Sequence, residues 1–146
     1  MTEVQGEEPG GNAGREPIAN VALADSEELL FRQVHPHFFD AGEPTNGAFR
    51  PGSNDNGELS VGRASLTTAE EAFIRHTEKR GLASTGVWAV SVGEVTAVEL
   101  KAIPDPEPDD EAHSFVDFRS LSRKQCEGKS KLLRRDAVAR GCQYKP

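Results

Sequence analysis

The apolar residues of the chain are concentrated after position 28, and their spacing predicts a short series of strands and helices. Alternating apolar and polar side chains from Leu29 to His35 predict a first strand, with Leu30, Arg32 and Val34 on one face. Pro36 lacks the N–H that a strand ladder requires, so it ends this strand. The pattern therefore places an arginine on a face that is otherwise apolar, and a histidine at the end of the strand.

Residues 38–66 form a long stretch that is rich in Gly, Pro, Asn and Asp, which is typical of turns and loops. Two apolar islands inside it, Ala48–Phe49 and Leu59–Val61, predict short strands. The run around Gly57 lacks the first acidic ligand of a calcium loop, because Gly52 stands at that position. We therefore expect an Asn-Gly turn there.

A capping signal predicts the first helix. Thr67 and Thr68 each have a glutamate three positions later, so either can form a capping box, and Gly81 supplies a C-terminal stop. These signals predict a helix over about 68–80. The β-branched and aromatic run "GVWAVSV", residues 86–92, predicts a strand directly after it.

The C-terminal part predicts a second main helix, over about 122–140. Ser122 with Gln125 forms a capping box, and Gly141 is placed to end the helix with a positive φ. Gly128 lies inside the helix at a cost of roughly 1 kcal/mol relative to Ala, which suggests a close approach of another segment.

The segments between these elements complete the pattern. Residues 93–100 are ambiguous between a helical turn and a strand, residues 104–112 form an acidic, Pro-rich loop that must be exposed, and residues 113–118 predict another strand. The order of elements predicts an α+β domain over residues 28–146, with a small mixed sheet and two main helices. Residues 1–27 have no periodic apolar face, and they are expected to form a disordered acidic tail.

Composition bounds the class of protein. A chain of 146 residues predicts one domain. It contains no membrane-length apolar run and no signal-like start, which favours a cytoplasmic protein that does not enter a membrane. The two cysteines, Cys126 and Cys142, have no zinc spacing and are expected to be unpaired.

Charge is unevenly distributed along the chain. The net charge is −7, yet residues 119–146 contain nine Lys/Arg and two Asp/Glu. Such a split favours a protein partner as the first hypothesis. The candidate contact residues on the basic helix are Lys124, Lys131, Arg134 and Arg135. The same residues could bind nucleic-acid phosphates, although only one aromatic residue accompanies them and the rest of the chain is acidic.

The common nucleotide-loop, hydrolase and zinc-protease motifs are absent from the sequence. His35 and His37 could form a metal site with Asp40 or His113. Pro36 interrupts the required geometry, so we expect no metal, and we treat His35 and His113 as candidate pocket residues.

Arg32, Ser60 and Glu94 stand in that order on successive predicted strands or just beyond them. This order is similar to that of ADP-ribosyltransferase-type NAD-binding domains. The resemblance implies that the arginine holds the dinucleotide phosphates, the serine orders the arginine or the ribose, and the glutamate stabilises an oxocarbenium-like transition state. NAD is the cofactor under this alternative alone, because the first hypothesis needs no cofactor.

A second resemblance rests on runs that extend over about residues 29–144, namely "LFRQVHP", "AFRP", "LSV", "GVWAVSVGE" and "VDF…LSRKQ…KSKLL…ARG". Together they resemble a group of small, mostly uncharacterised bacterial proteins. The resemblance implies a compact intracellular bacterial domain and brings no activity or site residues with it. The sequence thus favours a non-catalytic accessory or regulatory binding protein, with an ADP-ribosyltransferase-like enzyme and a nucleic-acid-binding protein as alternatives.

Overall fold

A computed structural model describes residues 21–146, which form an α+β fold around a five-stranded antiparallel sheet. The strands are β1 (Leu29–Gln33), β2 (Phe39–Asp40), β3 (Glu43–Pro44), β4 (Glu58–Arg63), β5 (Val87–Ser91), β6 (Ala102–Pro104) and β7 (His113–Asp117). The helices are α1 (Ala69–Ile74), α2 (Val92–Ala97) and α3 (Arg123–Arg140). The predicted fold class is therefore confirmed.

The strand order in the sheet is β5-β1-β4-β7-β6, and β2 pairs with β3 in a separate two-stranded ribbon. Strand β1 is thus an inner strand, next to both β4 and β5. The ladder between β1 and β4 is short and covers only the pairs Leu30–Arg63 and Phe31–Gly62. Beyond these pairs the two strands no longer exchange backbone hydrogen bonds, and a side chain can reach the β4 carbonyls.

One face of the sheet carries the main core. Helices α2 and α3 and a 3-10 turn at Asn46–Phe49 pack on this face. Its fully buried side chains include Leu30, Val34, Phe49, Leu59, Val90, Val95, Val116 and Leu133. Apolar burial of this kind is the main stabilising term of the fold.

The opposite face is covered only in part. Phe31, Val87 and Ala89 pack there against Ala69 and Phe73, so helix α1 lies over β1 and β5. The same face of β4 and β7 extends beyond the helix, and the border between the covered and uncovered parts is the place where a pocket can form.

The predicted helix over 68–80 starts as expected but changes its type. Thr68 and Glu71 form the predicted capping box. The α-helix continues to Ile74, and Arg75–Lys79 form a π-helical turn in which the Arg80 amide donates to the Arg75 carbonyl at 3.1 Å. π-turns are rare and are found frequently at functional sites.

The structure corrects two local predictions and resolves one segment that the sequence left open. Ala48–Phe49 belong to a 3-10 turn instead of a strand. Their apolar character reflects packing, since Phe49 is fully buried between β1 and α3. The ambiguous segment after β5 is helix α2, which Ser91 caps. Gly128 makes no close approach, since a Cβ built there would meet nothing within 4 Å.

Other predicted elements are observed close to their expected bounds. The strand predicted at Leu59–Val61 lies inside β4, and those predicted over 86–92 and 113–118 correspond to β5 and β7. Helix α3 begins after the predicted Ser122 cap, and both cysteines are free.

The segments that flank the domain protect the two edges of the sheet. Leu23 donates to the carbonyl of Ala102 on β6, and Val87 on β5 pairs with Tyr144. Most of the tail predicted to be disordered, residues 1–20, lies outside the described residues; its remainder from residue 21 runs along the sheet edge. No helix within residues 21–146 has the length and apolar character needed to cross a bilayer.

Candidate functional site

Arg32 crosses the gap where β1 and β4 cease to pair. Its Nε donates to the Ala48 carbonyl at 2.8 Å, and its Nη1 donates to the Ser60 carbonyl at 3.0 Å. The guanidinium therefore replaces the missing ladder donor and ties β4 to the 3-10 turn at Asn46–Phe49. This role explains why an arginine occupies a position on a strand face that is otherwise apolar.

The charge of Arg32 has no direct counterion among the described residues, because no carboxylate oxygen lies within 4.0 Å of it. Burial lowers the pKa of Arg32 to about 10, and only Asp55 opposes this shift, at longer range. The side chain is thus still cationic at neutral pH. A partly buried cation that is bound to neutral carbonyls alone retains the capacity to bind an anion.

Arg32 lines two adjacent cavities. The first, which we call the arginine chamber, has a volume of about 80 Å³. Its walls are formed by β1, β4, the end of α1 and the loop before β7. The main polar groups that line it are Arg32, Ser60, Arg75, His76, Arg80, Asp110 and His113.

The π-turn supplies part of the positive charge of this chamber. Arg75 pairs with Asp110 at 3.4 Å. Arg80, just after the turn, pairs with Glu107 at 3.0 Å and with Asp109 at 3.4 Å. These two arginines are neutralised by the acidic loop, so Arg32 is the chamber's one arginine without such a partner in residues 21–146.

His76 forms part of the wall shared by both cavities. Burial lowers the pKa of His76, and the nearby charges of Arg32 and Arg80 lower it further, while a backbone hydrogen bond with Ala83 acts in the opposite direction. The imidazole is therefore neutral at pH 7, where it can donate and accept hydrogen bonds without adding charge.

The second cavity, which we call the outer chamber, has a volume of about 340 Å³. It shares Arg32, Gln33 and His76 with the arginine chamber and adds His35, Phe38, Ala48, Gly81, Leu82 and Ala83. Leu82 is 51% exposed and Phe38 is 37% exposed, which is high for large apolar side chains. The outer chamber thus has one charged lining residue, Arg32, where the arginine chamber has four.

Ser60 and His113 face each other across the sheet at the arginine chamber. His113 is the register partner of Gly62, two residues from Ser60, so the two side chains lie diagonally on the same face. His113 Nε2 lies 3.3 Å from Ser60 Oγ. On its other side, His113 Nδ1 lies 2.9 Å from the Asp105 carbonyl oxygen and 3.3 Å from Asp105 Oδ2.

Of the candidate residues for NAD binding, the structure brings two together and separates the third. Arg32 and Ser60 line one chamber, but Glu94 does not. Ser91 pairs with Leu29, so Glu94 lies past the end of β1 that is remote from Arg32. The arrangement required by the ADP-ribosyltransferase-type reading is therefore not present.

Glu94 has a structural role instead. Its Oε1 accepts from the Ser91 amide in a capping box, and both carboxylate oxygens accept from Arg140 at 2.8 and 2.9 Å. Burial alone would raise the pKa of Glu94, but these hydrogen bonds and the Arg140 charge lower it. Glu94 thus connects helix α2 to the end of helix α3.

The histidines considered for a metal site are separated as well. His35 Nδ1 accepts from the His37 amide and caps a 3-10 turn at Pro36–Phe38, so its role there is structural, while its ring also lines the outer chamber. In the described part of the chain, the ligand atoms of Asp105, Glu107 and His113 lie within 4.8 Å of one another, a spacing that a metal ion could bridge.

The basic helix is divided between internal and exposed charges. Arg134 donates to the Pro44 carbonyl and pairs with Glu43, and Arg135 pairs with its neighbour Asp136. Lys124 and Lys131 are exposed. At least two of the four candidate partner contacts are therefore already engaged within the protein.

Sequence reasoning singled out Arg32, His35, Ser60 and His113, and all four line the two chambers. It missed the contribution of the π-turn and of Asp105. The EKR run after His76 gives no signal of a π-turn, and the side chain of Asp105 in the acidic loop was expected to be solvated.

The chain was compared with protein-family models, with curated proteins and with solved structures, and none of the three comparisons found a match.

Proposed function

We propose that this protein is an accessory or regulatory binding protein whose ligand carries a small anionic group, a phosphate or a carboxylate, that is held at Arg32. The observation that carries the proposal is a partly buried arginine at the junction of two cavities, bound to carbonyl oxygens and without a carboxylate within 4.0 Å in residues 21–146. An incoming anion would supply the missing counterion.

The size of the arginine chamber supports a small group. Its volume of about 80 Å³ is several times the roughly 10–15 Å³ of cavity that a single water needs, so it has room for a group of a few heavy atoms. A carboxylate or a phosphate is a group of this size. The outer chamber, at about 340 Å³ and with fewer charged lining residues, would take the body of the ligand.

Hydrogen-bond donors around the chamber favour the same ligand. The guanidinium of Arg32 has donor capacity beyond its two carbonyl contacts. Neutral His76 lines the same chamber and can donate one hydrogen bond. Charge-assisted hydrogen bonds of this kind contribute roughly 1.5–3 kcal/mol each.

The test is a titration of the protein with inorganic phosphate and with succinate, followed by the melting temperature and by the Nε–Hε resonance of Arg32 in NMR spectra. We expect both probes to raise the free energy of unfolding, by about 2.7 kcal/mol at 100-fold excess over Kd, and with it the melting temperature. Both should also shift the Arg32 resonance.

Arg32→Gln should abolish this response and Arg32→Lys should weaken it. Arg123→Gln, at a side chain that is 93% exposed, is the matched control for loss of one positive charge. Because phosphate also stabilises proteins without binding, an equal response in Arg32→Gln and Arg123→Gln would contradict the proposal. The resonance shift in the unaltered protein provides the answer even if Arg32→Gln does not fold.

A further inference from the structure

The contacts of His113 define which ring nitrogen carries the proton when the imidazole is neutral. Nδ1 faces three oxygen atoms: the Asp105 carbonyl at 2.9 Å, Asp105 Oδ2 at 3.3 Å and Glu107 Oε2 at 3.9 Å. A carbonyl oxygen and the oxygens of an ionised carboxylate accept hydrogen bonds and do not donate them. A neutral imidazole must therefore carry its proton on Nδ1. Nε2 is then a lone-pair acceptor, and the Ser60 hydroxyl at 3.3 Å is the donor that faces it.

This arrangement is that of an activated serine. A nucleophile lies within reach of a base, and a third group orients the base from behind. Ser60 is exposed on the chamber wall, so a substrate can reach its hydroxyl, whereas the His113 side chain is only 12% exposed and is held between two strands and the acidic loop.

The acidic loop is itself well fixed. Glu107 and Asp110 exchange two backbone hydrogen bonds of 3.0 Å, and Arg80 holds the side chains of Glu107 and Asp109. Glu107 accepts the Arg80 hydrogen bond with Oε1, and its Oε2 faces His113. A rigid support of this kind keeps the imidazole in one orientation.

We propose that Ser60 is the nucleophile of a carboxylic-ester hydrolase, with His113 as the general base and Asp105 as the residue that positions it. The substrate class rests on the proposed function: an ester with a short acyl group that bears a carboxylate or phosphate bound at Arg32. The Arg32 guanidinium donates to the backbone carbonyl of the nucleophilic residue itself at 3.0 Å, so the anion site lies beside the nucleophile.

The reaction is balanced with water as the second reactant. Ser60 Oγ attacks the ester carbonyl as its proton moves to His113 Nε2, and the C–O bond to the alcohol breaks while His113 returns that proton to the leaving alkoxide. Water then attacks the acyl-serine with His113 again as the base. Collapse of the second tetrahedral intermediate releases the carboxylic acid and returns the proton to Ser60.

Two measurements test the inference. The first is covalent labelling with a fluorophosphonate, followed by mass spectrometry, which should place the phosphonyl group on Ser60 with loss of fluoride. The second is hydrolysis of 4-nitrophenyl acetate and of the mono-4-nitrophenyl ester of succinic acid, with the anionic ester preferred.

Ser60→Ala and His113→Gln should each lower kcat/KM by about 100-fold or more. Ser53→Ala, in an exposed loop, should leave it unchanged. Asp105→Asn keeps the carbonyl contact to Nδ1 and should lower kcat by about 10-fold at constant KM, while Glu111→Gln, at an exposed acid of the same loop, should not.

Three results would overturn the inference: labelling of a serine other than Ser60, hydrolysis that survives in Ser60→Ala, or no hydrolysis of either ester. Loss of activity on chelation, restored by a divalent cation, would also overturn it in favour of a metal at Asp105, Glu107 and His113. Equal hydrolysis of both esters that depends on Ser60 would instead contradict the anion site at Arg32 and leave the nucleophile standing.

Discussion

Glu28 and Arg32 are close in sequence, and the fold compensates their charges in different ways. The Glu28 carboxylate accepts from Arg63 Nε and Nη2 at 3.2 and 3.1 Å and from the Ser65 hydroxyl, so its charge is matched within the protein. Arg32 is matched by carbonyl dipoles alone. At the scale of the residue, this difference separates a structural charge from a charge that is available to a ligand.

Glu28 should contribute to stability in a way that depends on pH. Burial would raise its pKa, but the hydrogen bonds from Arg63 and Ser65 lower it below the ordinary value of 4.5. A lowered pKa means that the contribution is complete above pH 4.5 and is lost as the pH falls through the folded-state pKa. Glu28→Gln should therefore cost about 2 kcal/mol at pH 7 and progressively less below pH 4.5.

Urea unfolding of both proteins between pH 7 and pH 3 measures this difference. Glu111→Gln, an exposed acid in the loop before β7, removes one negative charge without breaking a hydrogen bond in the structure and is the control. A difference between Glu28→Gln and the unaltered protein that stays constant with pH would refute the assignment.

At the scale of the element, each of the three α-helices within residues 21–146 begins with a capping box. The boxes are Thr68–Glu71, Ser91–Glu94 and Ser122–Gln125. The sequence predicts the first and the third. It misses the second because Ser91 is at once the last residue of a buried strand and the cap of a helix, so the apolar run hides the start signal. The π-turn has no sequence signal of this kind, because its backbone depends on the packing of α1 against the sheet.

Two glycines in different elements should respond oppositely to alanine. Gly128 is inside α3, and a Cβ there meets nothing within 4 Å, so Gly128→Ala should raise the free energy of unfolding by about 0.5–1 kcal/mol. Gly86 has φ +153°, and a Cβ there would lie 2.7 Å from the Tyr144 carbonyl oxygen. Gly86→Ala should therefore destabilise the protein. Chemical denaturation measures both changes, and a destabilised Gly128→Ala would mean that helix α3 has a contact on this face.

At the scale of the whole molecule, the sequence predicts most elements of the fold but not their arrangement. Periodicity and caps locate single strands and helices, whereas the order β5-β1-β4-β7-β6 depends on which apolar faces pack together. The site follows from that order: Arg32, Ser60 and His113 lie on β1, β4 and β7, which are neighbours in the sheet although distant in the chain. Glu94 was grouped with them by sequence order alone, and the register of β1 with β5 places it elsewhere.

The same strand order has a consequence for how fast the chain folds. The pairs Leu30–Val90 and Leu59–Val116 each join positions that are about 60 residues apart. Formation of the central ladders therefore requires the closure of long loops, and the entropy of closure is lost before the contacts of the ladder stabilise the chain. We expect folding on the scale of milliseconds to seconds, as in other proteins with mostly non-local pairing. Stopped-flow refolding in urea measures the rate, and a phase of microseconds that recovers the full native signal would contradict this expectation. Since the nucleophile, its base and the buried cation stand on three different strands, the site should form only with the complete sheet, in the same kinetic step.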